Sequence, residues 1–265
     1  MNKISDQNYL KNSQYKTSSN LNARIYIHQR FSANRYGWYR WVTDRMRLAS
    51  GQTVIEVGGG TGMLWRERLS SLPASLEVTI TDLSTGMLAE AAQALSADPR
   101  FRFACADVMA LPFDSAACDL AVANHMLYHV PHILRGVMEL RRVLKPGGML
   151  IAATNGLNHL KELHELIRSV APAYIPGELS AQNFGLENGM DILSEVFDDV
   201  RLEIYEDSLW ITEALPLVDY IYSLNFMQAV TEADRSSLLA QIESRIQQEG
   251  GFYIQKASGL FMARV

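Results

Sequence analysis

The sequence predicts an α/β protein built on a doubly wound, mostly parallel sheet, and three observations predict it. Short apolar runs rich in β-branched residues alternate with segments of helical periodicity through the middle of the chain. The first of these runs passes directly into a glycine-dense turn, Gly58-Gly59-Gly60-Thr61-Gly62. Polar landmarks then fall at the ends of successive strands: Glu56 with Gly58, Asp82, Asp107 and Asn124. In an open parallel sheet, right-handed crossovers place helices on both faces and ligands collect at the carboxyl ends of strands. These residues therefore converge on one site.

Each element follows from its residues. Residues 53 to 57 are short and β-branched enough for a fully buried parallel strand. The glycines at 58, 60 and 62 permit positive φ and remove the Cβ atoms that would hold a ligand away from the backbone. From Met63 through Leu64, Trp65, Arg68 and Leu69 the chain reads as a helix whose free N–H groups point into that loop. Leu76 to Asp82 is a second strand, Phe101 to Val108 a third, and Cys118 to His125 a fourth with its end. Arg142 to Lys145 closes a helix, Pro146-Gly147-Gly148 turns, and Met149 to Ala152 enters a fifth strand.

Spacing decides between the cofactors such a loop could hold. A dinucleotide fingerprint counted from Gly58 puts Met63 where glycine or alanine is needed for close packing. A phosphate-cradling P-loop needs Gly-Lys-Ser/Thr, and Gly62 is followed by Met63 and Leu64. What stands is E-x-G-x-G-x-G, carried by Glu56, Gly58, Gly60 and Gly62. This resembles motif I of the class I S-adenosylmethionine-dependent methyltransferases, and the likeness is strong across residues 50 to 155.

The resemblance implies the Rossmann-like methyltransferase fold with a seven-stranded sheet, and S-adenosylmethionine as cofactor, leaving S-adenosylhomocysteine. It implies that Glu56 lies near the methionine end of the cofactor. Asp82, with Leu83 beside it, is placed to take the ribose hydroxyls, an ionised acceptor giving strong hydrogen bonds. Asp82 would suit NAD equally, or could cap the helix beginning near Ser84 and Thr85. By the same resemblance Asp107 receives the adenine amino group and the Val108 backbone N–H meets a ring nitrogen. Asn124 is a partial match to the N/D-P-P-Y/F signature of base-amine methyltransferases, but His125-Met126-Leu127 supplies no prolines.

Composition narrows the partners. A net charge of −5 and a pI near 5.7 argue against a large nucleic-acid face, which needs clustered Lys and Arg. The densest basic segment, Arg141-Arg142 with Lys145, is expected at a helix end beside its dipole. No run of eighteen apolar residues exists, and the first twenty residues are polar, so no membrane association and a soluble, cytoplasmic protein are expected. Cys105 and Cys118 read as reduced core residues. His125, His129 and His132 raise the question of a metal, but no H-E-x-x-H pattern or carboxylate cluster completes a site, and none is expected.

The remaining segments should select the substrate. Residues 1–48 read as a polar arm followed by an aromatic helical lid, 49–156 as the cofactor core, 157–190 as a helical cap, and 191–265 as the rest of the core with a second helical insertion. In this last part a helix is expected over 191 to 198, a strand from Val200 to Tyr205, helix from Trp210 to Gln248 broken at Pro216, and a terminal strand pair or bulged strand forming the antiparallel edge. Tyr26, His28 and Tyr36 are the lid candidates. Two caps suit a closed pocket for a small-molecule methyl acceptor, taking the group on oxygen, nitrogen or carbon, and secondary metabolism would fit such a substrate. His129 or His125, just beyond the fourth strand, is the candidate general base, and a turn-capping role is the alternative for His129. Two other readings stay open: a cofactor-binding protein without catalysis, and an NAD(P)-dependent oxidoreductase.

Overall fold

The computed structural model describes residues 5–14, 19–171, 180–224 and 231–265. Before the sheet come α1 (Gln7–Tyr9), continued by a π-helical turn over Leu10–Gln14, then α2 (Ser19–Phe31) and α3 (Trp38–Met46). Alternation then begins: β1 (Thr53–Val57), α4 (Met63–Arg66), β2 (Glu77–Asp82), α5 (Thr85–Leu95), β3 (Phe101–Cys105), β4 (Cys118–Asn124), α6 (Ile133–Val143) and β5 (Leu144–Asn155). The polar arm is thus helical over residues 7–14, with Leu10 and Gln14 buried. The helix expected from Met63 to Leu69 is a single turn, followed by a 3-10 turn at Leu69–Ser71.

After β5 come α7 (Lys161–Val170), α8 (Ser180–Asn183), α9 (Gly189–Ser194), β6 (Asp199–Tyr205), β7 (Ser208–Ile211), α10 (Ala214–Tyr222), α11 (Glu232–Glu249), β8 (Phe252–Gln255) and β9 (Ser258–Arg264). Two expectations are corrected here. Trp210 lies in a strand, where Leu209 and Ile211 alternate inward against its exposed ring. Pro216 does not break a helix: it is the third residue of α10, in the first turn, where a missing N–H costs no intrahelical bond.

The main sheet has seven strands in the order β3-β2-β1-β4-β5-β9-β6. The first five are mutually parallel; β9 runs antiparallel to β5 and to β6. β9 therefore sits inside the sheet and β6 forms its edge, contrary to the edge position expected for the tail. β8 leaves this sheet and pairs with β7 as a separate antiparallel pair. Period-two alternation along β1 sends Ile55 and Val57 into one layer of the core and Val54 into the other.

A third apolar cluster belongs to the cap. Ile27 and Phe31 of α2, Leu163 and Ile167 of α7, Leu217 and Ile221 of α10, Leu238 and Ile242 of α11, and the inward residues of β7 and β8 are buried together. The cap thus has its own core, and α2, early in the sequence, is part of it. Cys118 is buried in β4 as expected, but Cys105 is exposed, because it ends β3 at the sheet edge. Among the described residues no helix is long and apolar enough to cross a membrane.

Candidate active site

The strand order reverses between β1 and β4, so their connections leave in opposite directions and a crevice opens at their carboxyl ends. A cavity of about 840 Å³ occupies this position and extends up into the cap. Ligand pockets run roughly 300–1,000 Å³, so the space accommodates a large ligand with room beside it.

The glycine loop forms the floor. Gly58 (φ 61°) lies where the loops after β1 and β4 nearly touch: a Cβ there would stand 2.7 Å from Met126 Cβ. Gly62 (φ 71°) presses the loop onto α5, its virtual Cβ 2.8 Å from Leu95 Cδ1. Gly62 thus provides the close packing that Met63 could not. The Gly60 amide donates to Asp82 Oδ2 at 2.9 Å, tying the loop to the end of β2. Thr61 Oγ1 in the same loop is buried with no hydrogen-bond partner among the described residues.

Glu56 is buried beneath the loop and accepts from Trp65 Nε1 at 2.6 Å. Burial pushes its carboxyl up to about 8, opposed by the Trp65 bond and reinforced by Asp82. Asp82 accepts the Ser84 amide at 2.8 Å as well as that of Gly60; burial raises its carboxyl despite these donors. The helix cap is Ser84, whose hydroxyl accepts from the Met87 amide, so capping does not account for Asp82. Each Asp82 oxygen keeps a second lone pair for a ligand.

Asp107 follows β3. Its Oδ1 accepts the Met109 amide at 2.9 Å and its Oδ2 the side-chain amide of Gln7 at 2.9 Å. The N-terminal helix therefore reaches across the cavity to this acid. Val108 and Leu83 also line the wall. Asn124 Oδ1 accepts from Trp38 Nε1 at 3.2 Å, which joins α3 to the end of β4.

Both candidate bases face the cavity. His125 is held at φ 56°, a region few non-glycine residues adopt, with its amide on Ala153 O at 3.0 Å and its ring 4.9 Å from that of Trp38. Burial, helped by the charge of Lys256, depresses its imidazole to about 4. His129 closes the 3-10 turn Leu127–His129, with its ring edge-on to Tyr128. Of the lid candidates, His28 and Tyr36 line the cavity, Tyr36 with its hydroxyl on Asp44 and Arg40 over its ring. Tyr26 is turned away: it is 48% exposed and lies in a surface depression with Leu215 and Pro216. Its position follows from α2 burying the neighbouring Ile27 in the cap.

The reading from sequence missed the far end of the cavity. Tyr205, Asp207, His159, Tyr220 and Lys256 also line it, contributed by segments that share no motif. The nearest signal was their position at the ends of strands and helices that fold into the cap. Among the described residues no group of three His, Cys, Asp or Glu is arranged to hold a metal ion.

Comparison with known proteins agrees with this geometry. A family described as "Methyltransferase domain" matches residues 55–152, from β1 to β5. A malonyl-[acyl-carrier protein] O-methyltransferase of Enterobacter lignolyticus is 36% identical over 120 residues, 44% of each chain. A demethylmenaquinone methyltransferase of Desulfitobacterium hafniense is 29% identical over 119 residues, covering 44% of this chain and 47% of its own. The chain thus spans about half the length of the curated relatives it matches. The solved phosphoethanolamine N-methyltransferase 2 of Haemonchus contortus in complex with S-adenosyl-L-methionine overlays 97% of this chain and 59% of its own, at 20% identity and a TM-score of 0.60. Its strand order, its glycine loop and the matching segment identify residues 55–152 as a methyltransferase domain of the class I S-adenosylmethionine-dependent type.

Proposed function

We propose that the protein transfers the methyl group of S-adenosylmethionine to a small-molecule acceptor held between the glycine loop and the cap. The observation that carries this is the convergence of Asp82, Asp107 and the Gly58–Gly62 loop on one cavity that continues beyond them toward the cap residues His159, Leu163 and Tyr220. The residues fit the cofactor. Asp82 retains lone pairs for the ribose hydroxyls, Asp107 presents an oxygen already met by one amide donor, and Thr61 offers an unpartnered polar atom in the loop. Gln7 makes the N-terminal helix part of the cover over the Asp107 end.

When bound, the cofactor supplies an activated sulfonium methyl that needs only an in-line acceptor. The chain's own residues then position, enclose and deprotonate. Trp38 and Asn124 fix the end of β4 against α3, so His125 is held still beside the acceptor's path. His125 and His129 are the candidate groups to take a proton from the acceptor; both are supported by their place on the cavity wall, immediately after the strand end.

Parallel calorimetric titrations with S-adenosylmethionine, S-adenosylhomocysteine and NAD test this. Binding of the two sulfur ligands but not NAD is expected, weakened about tenfold or more in Asp82→Ala, since a charged hydrogen bond is worth roughly 1.5–3 kcal/mol. NAD binding alone would overturn the proposal, and cofactor binding without turnover over a broad acceptor panel would favour a non-catalytic binder.

A further inference from the structure

The compartment beyond His125 has a consistent chemistry. His28 from α2, His125 after β4 and His159 ahead of α7 face it, and His129 and His164 also line the cavity. The rings of His28 and His159 lie 6.1 Å apart, and His28 stands edge-on to Tyr220 at 6.0 Å. His28 Nδ1 and His125 Nδ1 are buried with no hydrogen-bond partner among the described residues. His159 is different: its Nδ1 accepts the Ala257 amide at 3.2 Å, with Ser258 Oγ at 3.3 Å. A ring nitrogen that accepts carries no proton, so the His159 proton sits on Nε2 as a donor.

Behind the three rings stands Lys256, whose side chain is only 6% exposed. Its Nζ lies 2.5 Å from Asp207 Oδ2. The two partners do not cancel evenly toward the cavity. Asp207, fully buried, also accepts from Ser32 Oγ and from the amides of Asn34 and Ser208, so its charge is held by four donors. The ammonium lies 5.6 Å from the Tyr205 ring, and its charge depresses the basicity of all three imidazoles, adding to burial. The compartment therefore combines neutral imidazoles, which offer both lone pairs and a donor, with a positive potential. Leu160 and Leu163 add apolar wall, alongside the polar Asn155, His164 and Ser258.

Building on the methyltransferase reading, we propose that this imidazole-lined compartment is the acceptor subsite, and that it takes a neutral, planar molecule through an acidic hydroxyl, phenolic or enolic, while rejecting ammonium compounds. A hydroxyl both donates and accepts, so it satisfies an unpartnered imidazole nitrogen and the His159 donor together. As its proton passes to that imidazole nitrogen, the developing oxyanion is stabilised by Lys256. An ammonium group has no lone pair for the donor and meets like charge. His28 is a specificity-determining residue in this arrangement: removing it strands no partner, because its Nδ1 has none.

The test uses the full chain saturated with S-adenosylhomocysteine, titrated with 2-naphthol and with the 2-naphthylmethylammonium ion and followed by ligand fluorescence. Naphthol is expected to bind at least tenfold more tightly than the ammonium ion. His28→Phe, which keeps a ring against Tyr220, and His28→Asn, as a second variant should the first misfold, differ in what they keep. The Phe variant is expected to lose at least tenfold in naphthol affinity and the Asn variant to retain part of it, with S-adenosylhomocysteine affinity unchanged in both. Equal or tighter binding of the ammonium ion, no naphthol binding, or naphthol affinity indifferent to His28→Phe in a folded variant overturns the subsite. Failure of the wild-type protein to bind S-adenosylhomocysteine overturns the methyltransferase reading instead, and the subsite with it.

Discussion

At the scale of single residues, the site is a set of groups held out of their ordinary states. Glu56 is pushed up to about 8 by burial, and His125 down to about 4 by burial and Lys256, while its backbone sits at φ 56°. Strain of this kind costs of order 1–3 kcal/mol and persists where surrounding structure enforces it, here the Ala153 bond and the Trp38 ring. A lowered basicity keeps the His125 imidazole neutral throughout the neutral range, its lone pair free but a weaker base than an ordinary histidine. Replacing His125 or His129 by Ala is expected to lower kcat by about 10²–10⁴ for whichever serves as base, leaving cofactor affinity in titration intact. Turnover unchanged in both variants would remove the general-base role. Glu56, Asp82 and the glycines were legible in the sequence because their neighbours along the chain define them. His28 was legible as an oddity in an aromatic segment, whereas His159 and Lys256 were not, since each is given meaning only by residues more than a hundred positions away or by another element.

At the scale of elements, the parallel core repeats one solution and the cap another. β1 to β5 each end at the cavity, so a short motif placed after any of them is functional by position. The cap is assembled from α2, α7, α10, α11 and the β7–β8 pair around one apolar cluster. The chain leaves the main sheet through Asp207, after β6, and returns through Lys256, before β9, and the ion pair between them joins the two crossings. α11 is anchored chiefly by Leu238 and Ile242, both fully buried, and begins with a capping box of Thr231 and Asp234. Leu238→Ala is expected to cost about 2–5 kcal/mol by denaturant unfolding. If the cap is energetically separable from the core, S-adenosylhomocysteine binding at the ends of β1 to β3 should survive that change; its loss would show that core and cap are one cooperative unit. The misreading of Trp210 and of the tail has one cause. Period-two alternation over four residues is too short to separate a strand from a helix turn, and nothing local states which strand a strand will pair with.

For the whole molecule, buried histidines make stability depend on acid. His28, His125, His159 and His164 are all held below the ordinary imidazole value, first by burial, His125 and His164 at about 4. Between roughly pH 6.5 and 4 the unfolded chain takes up protons that the folded chain does not, so stability falls as pH falls through that window. The loss is expected to be about 1–2 kcal/mol for each of His125 and His164 at pH 5, with His28 and His159 adding in the same direction, measured by denaturant unfolding at pH 7 and 5. Glu56 works in the opposite sense: its carboxyl is raised when folded, so its penalty is largest above about pH 8 and fades toward acid. Glu56→Gln should therefore steepen the acid loss, and a variant whose stability is flat between pH 7 and 5 would contradict the neutral-imidazole description.

By itself the sequence determined the alternating core, the strand ends and the residues that line the crevice there. These are local properties: periodicity, glycine spacing and an acid at the end of an apolar run are written within a few residues of one another. Only the tertiary structure decided that β9 lies inside the sheet, that Tyr26 faces away while His28 faces in, and that His159, Lys256 and Asp207 meet at the far end of the cavity. The last two outcomes depend on burying one shared apolar cluster from six separate elements, and the place of β9 on burying Leu260, Phe261 and Ala263 in the two layers of the sheet core; no stretch of the chain carries those requirements alone.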